Sequence, residues 1–188
     1  MMEIIYTTDA LDFIRYAYEC VECGHEGCVM HICVSHCVWT GQLPTLDLAA
    51  CNRHGMAVGR GEYLGGSIVN MVGDLSICIT TWGNSDVAEC IVSAMAERIS
   101  SLGNITYDEN DVLLDGKKVL SWARATTMNG WCQSVVHCSI GEVDLELIQE
   151  VCTKPMVKVP GSLNSYGITD DDLRTIAVEC VNAIKGEK

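Results

Sequence analysis

Proline and the signatures of disorder are scarce in this chain. Its 188 residues include only three prolines, and they show no internal repeat, low-complexity tract or Gly/Ser-rich linker. Hydrophobic residues make up 48% of the sequence, which is enough to bury a sizeable core at this length. The composition therefore argues against a disordered chain and predicts one globular domain over residues 1–188.

Basic residues are also few. Twelve Lys and Arg stand against 25 Asp and Glu, which gives a formal net charge of -13. Neutralising a nucleic-acid backbone needs clustered Lys and Arg, so the sequence argues against nonspecific binding to nucleic acid. For the same reason, an acidic protein partner would have to dock through a local basic patch or through apolar contacts.

Long apolar runs are missing as well. No hydrophobic stretch approaches the length that a membrane-spanning helix needs. The first residues, Met1-Met2-Glu3-Ile4-Ile5, have neither the basic region nor the long apolar segment of a signal peptide. We therefore expect a cytoplasmic protein with no membrane partner.

Cysteine, in contrast, is abundant. Most of the twelve cysteines lie inside periodic apolar segments, as Cys78, Cys90 and Cys180 do, so we expect reduced core thiols and no disulfide scaffold. One segment nevertheless has zinc-like spacing, because its Cys-x-x-Cys pair is followed at once by further thiols and imidazoles. The residues of this segment are Cys20, Cys23, His25, Cys28, His31, Cys33, His36 and Cys37. A second Cys-x-x-Cys knuckle is missing, so buried thiols and histidines are the preferred interpretation and a zinc site is the alternative.

The spacing of apolar residues predicts an α+β fold. Helices are expected over 9–23, with Thr8 as N-cap and Gly24 as the stop, from Ser85 or Asp86 to Gly103, over 144–151, and from Thr169 to about Ile184. Strands are expected at 29–34, at 67–81 with a turn at Gly73-Asp74, and at 105–107, 111–115, 118–126 and 133–140. Helices grouped around such strands indicate a mixed, largely antiparallel sheet with flanking helices.

The most informative segment is 108–119, where Asp115-Gly116 separates two apolar-rich runs. Asp-Gly in this position favours a two-residue type I′ turn, in which both central residues take positive φ. Such a turn brings Asn110-Asp111 close to Lys117-Lys118 across the ladder.

The strand after the turn adds an apolar expectation. Simple alternation places Lys118, Leu120 and Trp122 on one face, so that an amine would stand beside an apolar wall. That wall would suit a fatty tail or an adenine ring.

The hairpin resembles an element of the lipoate- and biotin-protein ligase catalytic domain, in which Asn-Asp, a short strand and Asp-Gly-(Arg/Lys)-Lys follow one another. Lys118 matches the lysine of that element. Upstream, Gly73-Asp74-Leu75 is similar to the Gly-(Asp/Asn)-Leu after the ligases' glycine-rich loop, and Gly59-Arg60-Gly61 and Gly65-Gly66 fall where that loop should lie. The likeness is closer to the lipoate branch, typified by lipoate-protein ligase A, than to the biotin branch.

The resemblance implies the biotin/lipoate ligase fold and activation of an acid by ATP and Mg²⁺. Lipoate or octanoate would become an acyl-adenylate, and the acyl group would pass to a lysine of a lipoyl-type acceptor protein. Lys118 would bind the carboxylate and the adenylate phosphate, an electrostatic role of the oxyanion-stabilising kind. No separate C-terminal accessory domain is evident, so an accessory chain would have to supply one if it is needed.

The resemblance also implies roles for the neighbouring residues. Arg60, Gly65 and Gly66 would contact the phosphates, Asn110 and Asp111 would hold the nucleotide, and Asp111 would bind the Mg²⁺ or the ribose. Contacts to the acid or the adenine are implied for Tyr63, Leu64, Ser67, Leu120 and Trp122.

The chain departs from the ligase pattern in the glycine-rich loop. Glu62, Tyr63 and Leu64 replace residues that are usually basic, small or glycine, so we expect weaker nucleotide binding than in ligases with the full motif.

Two alternatives to an active ligase remain, the first because of these departures and the second because related octanoyltransferases of the same fold use a cysteine nucleophile. One is a noncatalytic module that binds an acyl group or a nucleotide on the same fold. The other is a cysteine-dependent octanoyltransferase with Cys152 as nucleophile and Lys118 or Lys154 as the activating cation.

Overall fold

The computed structural model describes residues 2–41, 43–61, 67–83 and 86–186. The strands within them are β1 (Glu3–Thr7), β2 (Gly27–Ile32), β3 (Cys37–Thr40), β4 (Ala57–Arg60), β5 (Ser67–Asn70), β6 (Leu75–Trp82), β7 (Ile105–Asp108), β8 (Asp111–Leu114), β9 (Lys117–Thr126) and β10 (Trp131–Cys138). The helices are α1 (Ala10–Cys23), α2 (Leu48–Arg53), α3 (Val87–Ile99), α4 (Leu145–Val151) and α5 (Asp170–Gly186).

These strands form two sheets. A seven-stranded sheet has the order β1-β2-β6-β10-β9-β8-β7, and a three-stranded sheet has the order β4-β3-β5. The pairs β1-β2 and β3-β4 are parallel and the other pairs are antiparallel. The predicted α+β class, with a mixed and largely antiparallel sheet and flanking helices, is therefore confirmed.

The large sheet separates two apolar layers. Helices α3 and α5 cover one face, where Ile77, Ile91 and Leu173 belong to the main core. Helix α1 and the small sheet cover the other face, where Phe13 and Trp39 pack against the middle strands. Beyond the small sheet, α2 and α4 enclose a third apolar cluster. Because the small sheet covers only part of its face, room for a site remains beside it.

Local capping signals fix several helix ends. The N-cap of α1 is Asp9 and not the predicted Thr8, because the Asp9 carboxylate accepts hydrogen bonds from the backbone N–H groups of Leu11 and Asp12. Gly24 ends α1 at φ 67°, as predicted.

The later helices follow the same logic. A capping box begins α5: the Asp172 carboxylate accepts the N–H of Thr169, and Thr169 Oγ1 accepts the N–H of Asp172. Helix α3 ends at Ile99, short of the predicted stop at Gly103. Ser85, one of its two predicted starts, lies outside the described residues.

The run 67–81 contains the predicted turn, but its two strands belong to different sheets. Strand β5 pairs with β3 in the small sheet, whereas β6 pairs with β2 and β10 in the large one. The buried Asp74 carboxylate holds the turn by accepting backbone N–H groups of Met71, Ile140 and Gly141. Periodicity missed β1, β3, β4 and α2, and the four residues of β3 show no alternation because all are buried.

Among the described residues, no helix is long and apolar enough to cross a membrane.

Candidate active site

A cavity of about 940 Å³ opens beside the small sheet. Its walls come from residues of β8, β9 and β10, from the start of β5, and from α4 with the segment after it. We name that segment, residues 153–161, the strap. The volume lies within the range of about 300–1,000 Å³ that is usual for small-molecule sites.

The predicted hairpin forms one wall of this cavity. Asp115 and Gly116 have φ values of 50° and 78°, and Leu114 pairs with Lys117, so the two-residue turn with positive φ at both central positions is confirmed. Across the ladder, the Lys118 ammonium lies 3.0 Å from Asp111 Oδ1. Lys118 faces the cavity, whereas Lys117 is exposed to solvent.

A second lysine, which the sequence analysis missed, completes this charge cluster. Lys158 Nζ, on the strap, lies 2.7 Å from Asp111 Oδ2 and 3.0 Å from Asp108 Oδ2. The hydrogen bond that Lys158 donates to the Asp111 carboxylate raises the pKa of Lys158, which is therefore charged. In the sequence, Lys158 is distinguished only as the second basic residue of the segment Lys154-Pro-Met-Val-Lys158. This segment lies far from the hairpin along the chain.

The prediction that Lys118, Leu120 and Trp122 lie on one face of the strand is wrong. Val112 lies opposite Leu120 but Leu113 lies opposite Lys118, so β9 carries one extra residue, Val119, in a β-bulge. The bulge reverses the alternation beyond it. Leu120 is therefore buried in the main core, with Trp122 packed against that core, on the face away from the cavity.

Because of the same bulge, Ser121 lines the cavity. Its side-chain oxygen is buried and has no hydrogen-bond partner among the described residues. A buried hydroxyl without a partner is costly, because it has lost water and gained nothing in return. Ser121 therefore offers a hydrogen bond to a ligand in the cavity.

His137 forms a neutral part of the cavity floor. Its ring nitrogens lie 3.4 Å from Ser76 Oγ and 3.3 Å from Ser139 Oγ, and Nε2 is 3.7 Å from Asp74 Oδ2. The side chain is 4% exposed, and burial lowers the pKa of His137 to about 3. His137 therefore adds no charge to that of Lys118 and Lys158 at neutral pH.

The glycine-rich segment is only partly described. Glu62, Tyr63, Leu64, Gly65 and Gly66 lie outside the described residues. Ser67, which follows them, lines the cavity, and its hydroxyl donates to Thr40 Oγ1 at 2.8 Å.

The residues before the segment have other positions. Arg60 is exposed at the end of β4 and is not among the described residues that line the cavity. Gly59 packs against the core, because a Cβ there would lie 2.6 Å from Ile14 Cδ1 and 2.7 Å from Trp39 Cε3.

Asn110 lies in the turn between β7 and β8, where it is exposed. Its backbone carbonyl accepts the N–H of Trp122 at 3.0 Å. The structure brings Asp111 to Lys118 but gives the Asn110 side chain no place in the cavity wall that the described residues form.

Cys152 ends α4 and lines the same cavity as Lys118. Burial raises the pKa of the Cys152 thiol, which disfavours the thiolate that a nucleophile needs.

The Cys/His-rich segment has a different environment. Cys20 Sγ lies 3.4 Å from His25 Nε2, but Cys23 is exposed. No group of three or more His, Cys, Asp or Glu among the described residues is arranged to hold a metal ion.

Asp111 does not fit the implied Mg²⁺. Each of its carboxylate oxygens contacts an ammonium group, Oδ1 that of Lys118 and Oδ2 that of Lys158. Mg²⁺ keeps a strict octahedral shell at about 2.0–2.1 Å, so it would have to displace at least one of these lysines.

Comparison with known proteins adds to this geometry. No protein-family model and no curated protein matches the chain. Among solved structures, it is similar to a bi-partite lipoate protein ligase from Thermoplasma acidophilum, studied with its E2 lipoyl domain, at 16% identity and a TM-score of 0.72, covering 95% of this chain and 81% of that one.

Two further structures extend the likeness. Lipoate-protein ligase A bound with ATP has 15% identity and a TM-score of 0.73, with coverage of 95% of this chain and 83% of that one. The biotin protein ligase of Leishmania major has 11% identity and a TM-score of 0.55, with coverage of 99% and 74%. The chain therefore has the catalytic-domain fold of lipoate- and biotin-protein ligases.

Proposed function

We propose that this protein is a lipoate-protein ligase-like enzyme that activates a medium-chain acid, lipoate or octanoate, with ATP. In the first step a carboxylate oxygen of the acid attacks the α-phosphate of ATP and pyrophosphate leaves. In the second step the amine of an acceptor lysine attacks the acyl carbon and AMP leaves. The acceptor would be a lipoyl-type domain, as the lipoyl domain studied with the Thermoplasma ligase suggests.

One observation carries the proposal: the Lys118 ammonium lies on the wall of a cavity of about 940 Å³ in a chain with the ligase fold. Lys118 would neutralise the carboxylate as it approaches the phosphate and would then polarise the mixed anhydride. Ser121 would donate its free hydroxyl to the same polar head.

Part of the cavity lining suits an acyl tail. Ile68, Ile148, Met156 and Val157 line the cavity with apolar side chains, so a medium-chain tail would be removed from water there. This part of the lining takes over the role that the sequence gave to Leu120 and Trp122.

Phosphate binding would involve the glycine-rich segment and the lysine pair. The backbone N–H groups of Gly65 and Gly66, together with the Arg60 guanidinium, would contact the triphosphate. The Lys118 and Lys158 pair would face its α-phosphate. We route no step through a metal at Asp111, because that carboxylate is already engaged by both lysines.

A cytoplasmic location also fits. All twelve cysteines lie in the described residues, and none of them forms a disulfide. Reduced thiols persist in the cytoplasm, where glutathione and thioredoxin keep them so.

The test is an activation assay. Incubation with ATP, Mg²⁺ and lipoate or octanoate should release pyrophosphate and give an acyl-adenylate detectable by mass spectrometry, and omission of the acid is the control. Binding of the acid without turnover would instead identify a noncatalytic acyl- or nucleotide-binding module.

A second function is favoured by one observation, the position of Cys152 in the same cavity as Lys118. In a cysteine-dependent octanoyltransferase, the Cys152 thiolate would attack a thioester donor, release its thiol and pass the octanoyl group to an acceptor lysine. An octanoyl-protein adduct from octanoyl-coenzyme A, lost in Cys152→Ser, would establish this function. We prefer the ligase because burial raises the pKa of Cys152.

A further inference from the structure

The Lys158 ammonium sits at a point where three oxygens converge. Asp111 Oδ2 lies at 2.7 Å, Asp108 Oδ2 at 3.0 Å and the backbone carbonyl oxygen of Asp108 at 3.1 Å. An ammonium group has three N–H donors, so each oxygen can accept one of them. Two carboxylates and a carbonyl are also the kind of oxygen set that binds a hard divalent cation.

The strap holds Lys158 at this point through backbone bonds. The Lys118 N–H donates to the Val159 carbonyl at 2.9 Å, and the Gly161 N–H donates to the Lys118 carbonyl at 2.8 Å. Gly161 has no room for a side chain, because a Cβ would lie 2.9 Å from Lys117 Cβ. The strap is therefore packed directly on β9. Lys158 is held in place because the next residue, Val159, accepts the backbone hydrogen bond of Lys118.

The charges of the cluster show what Lys158 contributes. Asp111 is the more buried carboxylate, with 15% of its side chain exposed, whereas 56% of Asp108 is exposed. With Lys118 alone, Asp111 would form a neutral pair and Lys118 would have little charge to offer. With Lys158 on the second oxygen, the charge of Asp111 is divided between two ammonium groups, and Lys158 takes the rest of its counter-charge from the more exposed Asp108.

We propose that the Lys158 ammonium takes the position that a divalent cation would occupy between Asp108 and Asp111, and that Lys158 is a positioning residue that keeps Lys118 available for an anionic ligand. The sharing of Asp111 between two ammonium groups leaves the Lys118 ammonium only partly compensated. The substitution of Lys158 for a divalent cation is independent of the proposed function. The role of Lys158 in keeping Lys118 available for an anionic ligand rests on the proposed function.

The first experiment measures cation binding. Isothermal titration calorimetry with Mn²⁺ is carried out on the parent protein, on Lys158→Ala and on Lys158→Arg. Each protein is compared with the same protein carrying Asp111→Asn, so that binding at unrelated surface sites can be subtracted. Lys158→Ala should gain one Mn²⁺ per chain that is bound at least tenfold more tightly than in the parent and is lost with Asp111→Asn. The parent and Lys158→Arg should show no Asp111-dependent binding, because a side-chain cation still fills the position.

Either of two results overturns the proposal. One is stoichiometric Mn²⁺ binding by the parent that Asp111→Asn abolishes, a measurement that does not depend on whether any Lys158 variant folds. The other is the absence of any gain in a Lys158→Ala protein whose circular dichroism and thermal unfolding show that it is folded.

The second experiment tests positioning with octanoate as the probe. Lys158→Ala should bind octanoate at least tenfold more weakly than the parent, Lys158→Arg should recover most of that loss, and Mn²⁺ should restore affinity to Lys158→Ala alone. If Lys158 had a merely structural role, Mn²⁺ would not restore octanoate affinity to Lys158→Ala. A Lys158→Ala protein that binds Mn²⁺ but does not regain octanoate affinity therefore overturns the positioning role. If the parent binds no octanoate at all, the proposed function fails, while the Mn²⁺ titration still decides whether Lys158 takes the position of a divalent cation.

Discussion

Replacing Lys118 by Met is the most direct test of the proposed chemistry, because it removes the charge and keeps most of the side-chain volume. The fold should persist. Lys118 is 31% exposed, and Asp111 retains its 2.7 Å contact with Lys158, so no buried charge is left without a partner. The free energy of unfolding should fall by no more than about 1 kcal/mol, the upper end for partly exposed ion pairs.

Ligand binding should respond far more. A hydrogen bond to a charged group contributes about 1.5–3 kcal/mol, so the affinity for octanoate or lipoate should fall about 10- to 150-fold. The loss of a donor aimed at developing charge costs about 100- to 1,000-fold in kcat, so adenylation should slow by that much more.

Titration calorimetry with octanoate and pyrophosphate release measure the two effects. Lys117→Met is the matched control, because Lys117 is the adjacent residue of the same strand but is exposed and does not line the cavity. Wild-type affinity and turnover in Lys118→Met, or an equal loss in the Lys117 variant, would refute the assignment of Lys118.

Four further predictions follow from the site and its surroundings. Ser121→Ala should weaken octanoate binding about 2- to 10-fold in calorimetry without lowering the melting temperature, because its hydroxyl has no partner among the described residues. Burial depresses the pKa of His137 from its usual value of 6.5 to about 3 in the folded state, so the stabilising contribution of the neutral ring is present above about pH 6.5 and is lost as the pH falls toward 3. In urea unfolding, the stability advantage of the parent over His137→Gln should therefore shrink as the pH is lowered from about 6.5 toward 3. The quantity compared is the free energy of unfolding. Gly59→Ala should lower the free energy of unfolding by about 1–3 kcal/mol, because its Cβ would lie 2.7 Å from Trp39. Arg60→Ala should weaken ATP binding by about 1.5–3 kcal/mol if the guanidinium contacts a phosphate, and unchanged binding in calorimetry would remove Arg60 from the site.

Much of the local structure could be predicted from the sequence. The Asp115-Gly116 turn has positive φ at both residues because Asp-Gly tolerates that conformation and few other pairs do. The capping box before α5 and the glycine stop of α1 likewise act over a few residues. The spacing of apolar residues predicted the long helices, and together these signals were sufficient for the α+β class.

The two-sheet arrangement could not be predicted in this way. Residues 67–81 look like one hairpin, but their strands pair with partners in different sheets. Strand β3 is buried on both faces, so the alternation that identifies a half-buried strand is absent.

The sequence by itself determined that Lys118 and Asp111 would meet, because one tight turn places their two strands side by side. Only the tertiary structure decided what else stands beside them. Strand pairing created the bulge at Val119, which turned Leu120 into the core and Ser121 into the cavity. Docking of the strap brought Lys158 to Asp111 across 47 residues of sequence, a contact that no local preference encodes because it depends on the packing of distant segments.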